Sequence, residues 1–236
     1  FMLMSLGCSL SECFETHEEG TFHGKGTYLY DAQTILQSLD AGKTDVFAPL
    51  GMATETPSPN DAPVQWSQAD YYRVVQAFHE FVWEEPLESW NLLNLGFSLD
   101  CEYVDAGPQS FDLTLFKIVR IRDVNSRLER HLYSRSRGQI NWYEMEYYPE
   151  RLSPGSSLDL TQVKIPAEEA LRIAESNGGR EARLAVENNC EIDIVIVAGT
   201  RGEDWLVTYS PEVRGATLFR IRIDERTGEY RITHPQ

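Results

Sequence analysis

Two short stretches of the sequence partly match the signatures of phosphate-binding and metal-binding sites, but each lacks a residue that its chemistry needs. Gly42-Lys43-Thr44 would end a phosphate-binding loop, yet the glycine required five positions before Gly42 is replaced by Gln37. His79 and Glu80 would open a zinc-binding helix, yet Trp83 stands where the second imidazole must come, one helical turn later. The sequence also contains no Gly-x-Ser-x-Gly motif. We therefore expect no catalytic residue, no metal site and no cofactor, and a protein that is not an enzyme.

Two further histidines, His17 and His23, lie near the glutamates Glu15, Glu18 and Glu19. Imidazole and carboxylate groups at this spacing would allow a weak metal site. A solvated acidic loop explains the same residues more simply, because the chain has 37 acidic residues in all and neighbouring acids carry little information.

The first cysteine follows an apolar stretch that ends in Ser5-Leu6-Gly7-Cys8. A small residue directly before a cysteine, after an apolar run, is typical of the lipid-attachment site of a bacterial lipoprotein. The usual leucine three positions before the cysteine is replaced by Ser5. We expect Cys8 to carry a lipid; the alternative is an apolar stretch that packs against the core.

The cysteines Cys101 and Cys190 both lie on the apolar side of alternating, strand-like segments. If the chain is exported, an oxidising environment favours a disulfide between them that closes a loop of about 90 residues. Two alternatives stay open: a Cys8–Cys13 bridge, which requires that Cys8 carry no lipid, and two buried free thiols.

The formal net charge is −16 at pH 7, from 37 acidic and 21 basic residues. Such a charge repels the phosphate backbone of nucleic acids, so we expect no nucleic-acid partner. It also disfavours binding to anionic membranes by charge alone, which leaves a lipid anchor as the only expected membrane contact. The charge is compatible with a protein partner that presents a basic patch.

Three segments are predicted from composition and periodicity. Residues 1–64 form an acidic leader or tether, mostly loop, with one short helix that Asp31 caps and Gly42 ends. Residues 65–154 and 155–236 each read as one helix followed by about four antiparallel strands. The predicted fold class is α+β, with two tandem helix-on-antiparallel-sheet modules after an acidic N-terminal segment.

Local signals support these elements. Ser67 and Asp70 form a capping box at the start of the first long helix, and Pro166 suits the first turn of the second. Gly178-Gly179 is predicted to end that second helix, and Ala182–Val186 to be a strand. Proline-rich and serine-rich stretches at 53–63 and 152–157 are predicted linkers.

The third segment carries a run of motifs: Ile165 to Ala174 with its Glu-Glu-Ala core, the strand Trp205 to Tyr209, and Phe219 to Glu229, which ends in Thr-Gly-Glu. Together they resemble a PepSY-type module over residues 163–233. The resemblance implies an exported or membrane-tethered bacterial protein whose module binds or inhibits peptidases, and it implies no catalytic residues.

The expected function is that of a non-catalytic protein at the outer face of a bacterial membrane or cell envelope, which binds a protein partner. The candidate binding surface is the aromatic group Trp142, Tyr143, Tyr147 and Tyr148. Two alternatives remain: an accessory or structural subunit docked on a larger membrane complex, and an enzyme of unrecognised class.

Overall fold

Nine strands pair side by side into a single antiparallel sheet with the order β1-β5-β4-β3-β2-β6-β7-β8-β9. The computed structural model describes residues 20–29, 32–43, 46–47, 67–106, 110–121, 124–134, 139–147, 157–198, 203–211 and 217–234. The strands in chain order are β1 (Gly20–Leu29), β2 (Asn91–Asp100), β3 (Ser110–Ile121), β4 (Val124–Ser134), β5 (Gln139–Tyr147), β6 (Cys190–Val197), β7 (Trp205–Pro211), β8 (Phe219–Ile223) and β9 (Tyr230–His234).

The helices lie between groups of strands in the chain. They are α1 (Ala32–Asp40), α2 (Gln68–Trp83), α3 (Ala167–Ala174) and α4 (Arg180–Ala185), with a π-helical turn at Glu175–Gly179 between α3 and α4. Short 3₁₀ turns occupy Leu87–Ser89 and Cys101–Ala106.

The prediction of two tandem helix-on-sheet modules is wrong, because the strands of both segments belong to one sheet. Strand β2 pairs with β6 over seven residues, from Asn94 with Val197 to Asp100 with Glu191. Each of these strands would otherwise leave a row of unpaired backbone groups at an edge. Their pairing satisfies those groups and joins two rows of buried apolar side chains into one core.

Several local predictions are confirmed. Helix α2 begins at a capping box in which the Asp70 amide donates to Ser67 Oγ and the Ser67 amide donates to the Asp70 carboxylate. Helix α1 buries Ile35 and is followed by Gly42 at a φ of +75°. The Thr-Gly-Glu segment at the end of the PepSY-like motifs forms the hairpin turn between β8 and β9, with Asp224 Oδ1 accepting from the backbone amides of residues 226 and 227.

Other local predictions are wrong. The segment expected to be mostly loop contains β1, which pairs with β5 along its whole length. The glycines Gly178 and Gly179 do not end the second helix; the chain passes through the π turn into α4, so Ala182–Val186 is largely helical. Gly179 is needed there because a Cβ at this position would overlap the Tyr209 hydroxyl.

All described helices pack on the same face of the sheet. Tyr71 of α2 contacts Phe97 of β2, and Phe97 is paired with Ile194 of β6. On the other half of the sheet, Tyr209 of β7 donates a hydrogen bond to Glu175 of the π turn at 2.9 Å. Cross-strand partners share a face, so the helices form one layer and the apolar core lies between that layer and the sheet. We call this the helix-covered face.

A disulfide joins Cys101 and Cys190, whose Cα atoms are 5.3 Å apart. It confirms the predicted pairing, although Cys101 lies in a 3₁₀ turn after β2 and not on the strand itself. The bridge closes the end of the β2–β6 pair, and a disulfide is typical of an oxidising, extracytoplasmic environment. Within the described residues, no helix combines the length and apolarity needed to cross a membrane.

Candidate functional site

The second face of the sheet carries polar and aromatic side chains, and in the described part of the chain no helix packs on it. Register identifies its members: Gly96 of β2 pairs with Asp112 of β3, and Asp112 pairs with Tyr133 of β4. On the other side of β2, Ser98 pairs with Asp193 of β6. We call this surface the open face.

A hollow of about 460 Å³ lies at the middle of the open face. Its floor consists of small residues on the central strands, because Gly96 has no side chain and Ser98 and Ser110 contact each other through their hydroxyls. Larger residues stand around this floor. On the β3 to β5 side they are Asp112, Tyr133 and Tyr143, and on the β6 side they are Glu191, Asp193 and Val195. We call this feature the central hollow.

The carboxyl group of Asp193 is the most perturbed acid of the central hollow. Burial raises the pKa of Asp193 to about 6, and the neighbouring Glu191 carboxylate adds to the rise. Within the described residues, Asp193 forms no hydrogen bond and no ion pair. The fold therefore holds an acidic group in a partly desolvated place without a partner, which is more often a property of functional sites than of structural ones.

Two tyrosines form a ridge at one side of the central hollow. The rings of Tyr133 and Tyr143 lie 6.2 Å apart in an edge-to-face arrangement, and Tyr143 stacks on the His131 imidazole at 4.2 Å. A second hollow of about 520 Å³ lies beyond them, toward β1, where Phe22 is 53% exposed. The ridge therefore separates two concave surfaces that share its tyrosines.

No protein-family model matches the chain, and no curated protein is similar to it.

The predicted aromatic surface is divided between the two faces of β5. Tyr143 and Tyr147 lie on the open face, where Tyr147 donates to Met145 Sδ at 3.5 Å. Trp142 lies on the helix-covered face, where its ring is 5.1 Å from that of Trp83. Neighbouring residues of a strand point to opposite faces, so the side chains of Trp142 and Tyr143 point away from each other, although both residues line the second hollow. Tyr148 and the predicted lipid-attachment residue Cys8 lie outside the described residues.

The acids of the central hollow were not singled out from the sequence. Two of them nevertheless follow a visible pattern: in Cys190-Glu191-Ile192-Asp193-Ile194, apolar residues alternate with acids. Period-two alternation places the acids on the face opposite the core. The strand pairing that brings Asp193 opposite Ser98 could not be read from the sequence.

A chain of hydrogen-bonding groups on the open face has the composition of a catalytic triad. Glu129 contacts His131 Nε2 at 3.1 Å, and His131 Nδ1 lies 3.1 Å from Thr114 Oγ1. Thr114, however, is only 5% exposed, which leaves little room for a substrate carbonyl at its hydroxyl. Glu129 also pairs with Arg127. Positions 129 and 131 on β4 and 114 on β3 are neighbours by register, so the arrangement needs no catalytic explanation.

The incomplete zinc-binding motif has a structural role. His79, a residue of α2, is fully buried on the side of the helix that faces the sheet. Arg130 Nη1 donates to His79 Nε2 at 2.9 Å, and His79 Nδ1 lies 2.9 Å from the Glu85 carbonyl oxygen. Arginine can only donate, so His79 Nε2 must be unprotonated and the ring is neutral, with its proton on Nδ1. Burial and the Arg130 charge lower the pKa of His79 to about 4.

Arg130 itself is held between aromatic rings and carboxylates. Its guanidinium lies 3.9 Å from the Trp90 ring centroid and 4.4 Å from that of Trp83. It forms ion pairs with Glu85 at 3.1 Å and with Glu144 at 2.7 Å. The chain thus stabilises a buried cation with stacked rings and two acids.

Among the residues that the structure describes, one group of three acids has ligand atoms close enough to hold a metal ion, namely Asp204, Asp224 and Glu225. Arginines offset two of these charges: Arg231 lies 3.3 Å from Asp204, and Arg226 lies 3.0 Å from Glu225. Asp224 already accepts the hydrogen bonds of the β8–β9 turn. These contacts account for the cluster as turn and ion-pair chemistry.

Proposed function

We propose that this chain is a non-catalytic binding protein of an extracytoplasmic compartment and that it binds a protein partner through the open face. The observation that carries the proposal is the central hollow, where aromatic and acidic side chains surround a floor of small residues. Concave surfaces with a few convergent polar groups and a perturbed acid are the usual places for ligands. The buried hydroxyl of Thr114 gives a catalytic role less support.

A pull-down from bacterial envelope extract, compared between matched variants, tests this proposal. Tyr143→Ala removes an aromatic ring from the ridge, whereas Tyr230→Ala removes the same ring from an exposed position on β9, far from the central hollow in strand order. We expect specific proteins to be captured by the wild type and by Tyr230→Ala, and to be lost with Tyr143→Ala. Capture that is equal with both variants would contradict binding through the open face.

We further propose that the protein is exported and anchored at the outer face of the membrane through a lipid on Cys8, following the lipoprotein-like stretch Ser5-Leu6-Gly7-Cys8. The Cys101–Cys190 disulfide supports an oxidising compartment. The PepSY-like motifs of residues 163–233 support a role at the cell envelope, with a peptidase as one candidate partner. Cys8→Ser is expected to move the protein from the membrane fraction to the soluble fraction; unchanged fractionation would count against the anchor.

A further inference from the structure

The side chains around the central hollow differ from those of two other acidic sites of the described residues. At those sites the acids are accompanied by cations: Arg130 pairs with Glu85 and Glu144, and Arg231 pairs with Asp204. The described residues that line the central hollow include three acids, Asp112, Glu191 and Asp193, and no lysine or arginine. Within the described part of the chain, the lining of the central hollow is therefore acidic.

The tyrosines of the ridge add a second kind of cation-binding group to the carboxylates of the central hollow. Under α2, the chain holds the Arg130 guanidinium between indole rings and carboxylates. The central hollow offers the same two kinds of group, with Tyr133 and Tyr143 on one wall and Glu191 and Asp193 on the other. A cation held between aromatic faces and carboxylates gains from both, and the gain grows when water is excluded. The described lining of the central hollow thus presents the two kinds of group that hold a cation under α2.

The separation of the acids favours a long organic cation over a metal ion. The one group of three or more described His, Cys, Asp or Glu residues whose ligand atoms all lie within 4.8 Å of one another is at Asp204, and it includes none of the acids of the central hollow. A divalent metal needs several oxygens converging on one point. An arginine or lysine side chain can instead lie along the floor and reach acids on both walls, and a volume of about 460 Å³ leaves room for it.

We propose that the central hollow receives an arginine or lysine side chain from an extended, basic segment of the partner protein. The inference rests on the proposed function and specifies the chemistry of its partner. Charge complementarity selects this occupant: a second copy would also carry a net charge of −16 and would be repelled at long range.

The test uses an acetylated, amidated tetra-arginine peptide as the probe, with a peptide of four citrullines as its uncharged counterpart. Binding is measured by calorimetry at low and at physiological salt, on the whole chain. One variant, Glu191→Gln with Asp193→Asn, removes two charges from the hollow. A control, Glu181→Gln with Glu187→Gln, removes two charges from exposed positions at and after α4. Both variants change the net charge equally. A difference in peptide affinity between them therefore comes from the central hollow and not from the net charge of the protein.

We expect the arginine peptide to bind the wild type, to lose at least tenfold in affinity with the hollow variant, and to lose less than twofold with the control. The citrulline peptide should not bind. Amide NMR signals of Gly96, Ser98 and Ser110 should shift on titration, because these residues form the floor. Circular dichroism of each variant confirms that it is folded.

Equal losses with the two variants, or no binding of the arginine peptide, would overturn the inference. A dimer in sedimentation experiments that the hollow variant abolishes would assign the surface to a second copy and would also overturn it. These outcomes are distinguishable from failure of the proposed function. If Tyr143→Ala still abolishes capture from the extract while the arginine peptide does not bind, the open face binds a partner of different chemistry.

Discussion

At the scale of single residues, the central hollow holds Asp193 at a cost to stability. The folded chain raises the pKa of this carboxyl to about 6, against 3.8 for the ordinary group. An acid with a raised pKa in the folded state disfavours folding when it is ionised, so stability falls as pH rises from about 4 through 6.

Asp193→Asn should therefore stabilise the fold at pH 7.5, by about 1–3 kcal/mol, while it weakens binding in the hollow. The advantage should disappear as pH approaches 4, where the native carboxyl is protonated as well. Denaturant unfolding at both pH values measures the difference. A variant that is less stable than the wild type at pH 7.5 would show that Asp193 is a structural acid.

His79 has the opposite dependence on pH. Its pKa is lowered to about 4 in the folded state, so the unfolded chain takes up a proton first, and stability is lost as pH falls from about 6.5 toward 4. Between pH 7 and pH 4.5 this loss amounts to about 2 kcal/mol. His79→Gln removes the titrating group, so the free energy of unfolding of this variant should change less over the same range. Parallel pH profiles of wild type and variant would rule out this contribution.

At the scale of elements, β1 is attached to the sheet through a close approach. The Trp142 indole lies against Gly26, where an added Cβ would be 2.5 Å from Nε1 and 2.9 Å from Cε2. The strand needs glycine at this position because no side chain fits between its backbone and the ring.

Gly26→Ala should destabilise the protein by about 1–3 kcal/mol, because either the ring or the strand must move. Gly96→Ala is the matched control: its Cβ would come no closer than 3.4 Å, to Val195 Cγ2, so the fold should tolerate it. Thermal unfolding compares the two. Equal melting temperatures of the two variants would show that Trp142 and β1 can adjust to a Cβ at position 26 without loss of stability.

Elements with local signals were predictable, and elements set by distant contacts were not. The capping box of Ser67 and the Asp224 turn depend on residues within four positions, and both are present. The joining of β2 to β6 depends on strands about 90 residues apart, and no local pattern encodes it. Strand β1 was missed because its glycines and charges lower β-propensity, and pairing with β5 outweighs that preference.

The same distinction applies to the candidate site. Tyr143 is predictable as an aromatic residue of a strand, and the alternation of side chains along that strand places its neighbour Trp142 on the opposite face. The central hollow combines residues of β2, β3, β4, β5 and β6. It becomes visible only when the strand order is known, because its floor is a run of small residues on the central strands.

At the scale of the whole molecule, one sheet places the β2–β6 pair at the centre, with the Cys101–Cys190 bridge at its end. The bridge closes a loop with a sequence separation of 89 residues, for which the chain-entropy model gives about 4–5 kcal/mol as an upper value.

The double variant Cys101→Ala, Cys190→Ala should lose about 2–4 kcal/mol of unfolding free energy, which denaturant unfolding followed by tryptophan fluorescence measures. Chemical reduction of the wild type under the same conditions is the control for the cavities that the alanines leave. A variant as stable as the oxidised wild type would mean that the unfolded chain gains little freedom from losing the bridge.

The position of the bridge also decides how the molecule responds to mechanical force. Strands β1 and β9 lie at opposite edges of the sheet, so tension applied between Gly20 and His234 unzips strands from both sides inward. The force is then transmitted from Cys101 to Cys190 through the disulfide. Strands β3, β4 and β5 lie between these two residues in the chain, so they bear no load and are not extended. In a single-molecule pulling experiment, reduction of the bridge should lengthen the fully extended chain by about 300 Å, the reach of 89 residues. A chain of this design keeps more than a third of its residues out of the load path for as long as the Cys101–Cys190 bridge stays oxidised.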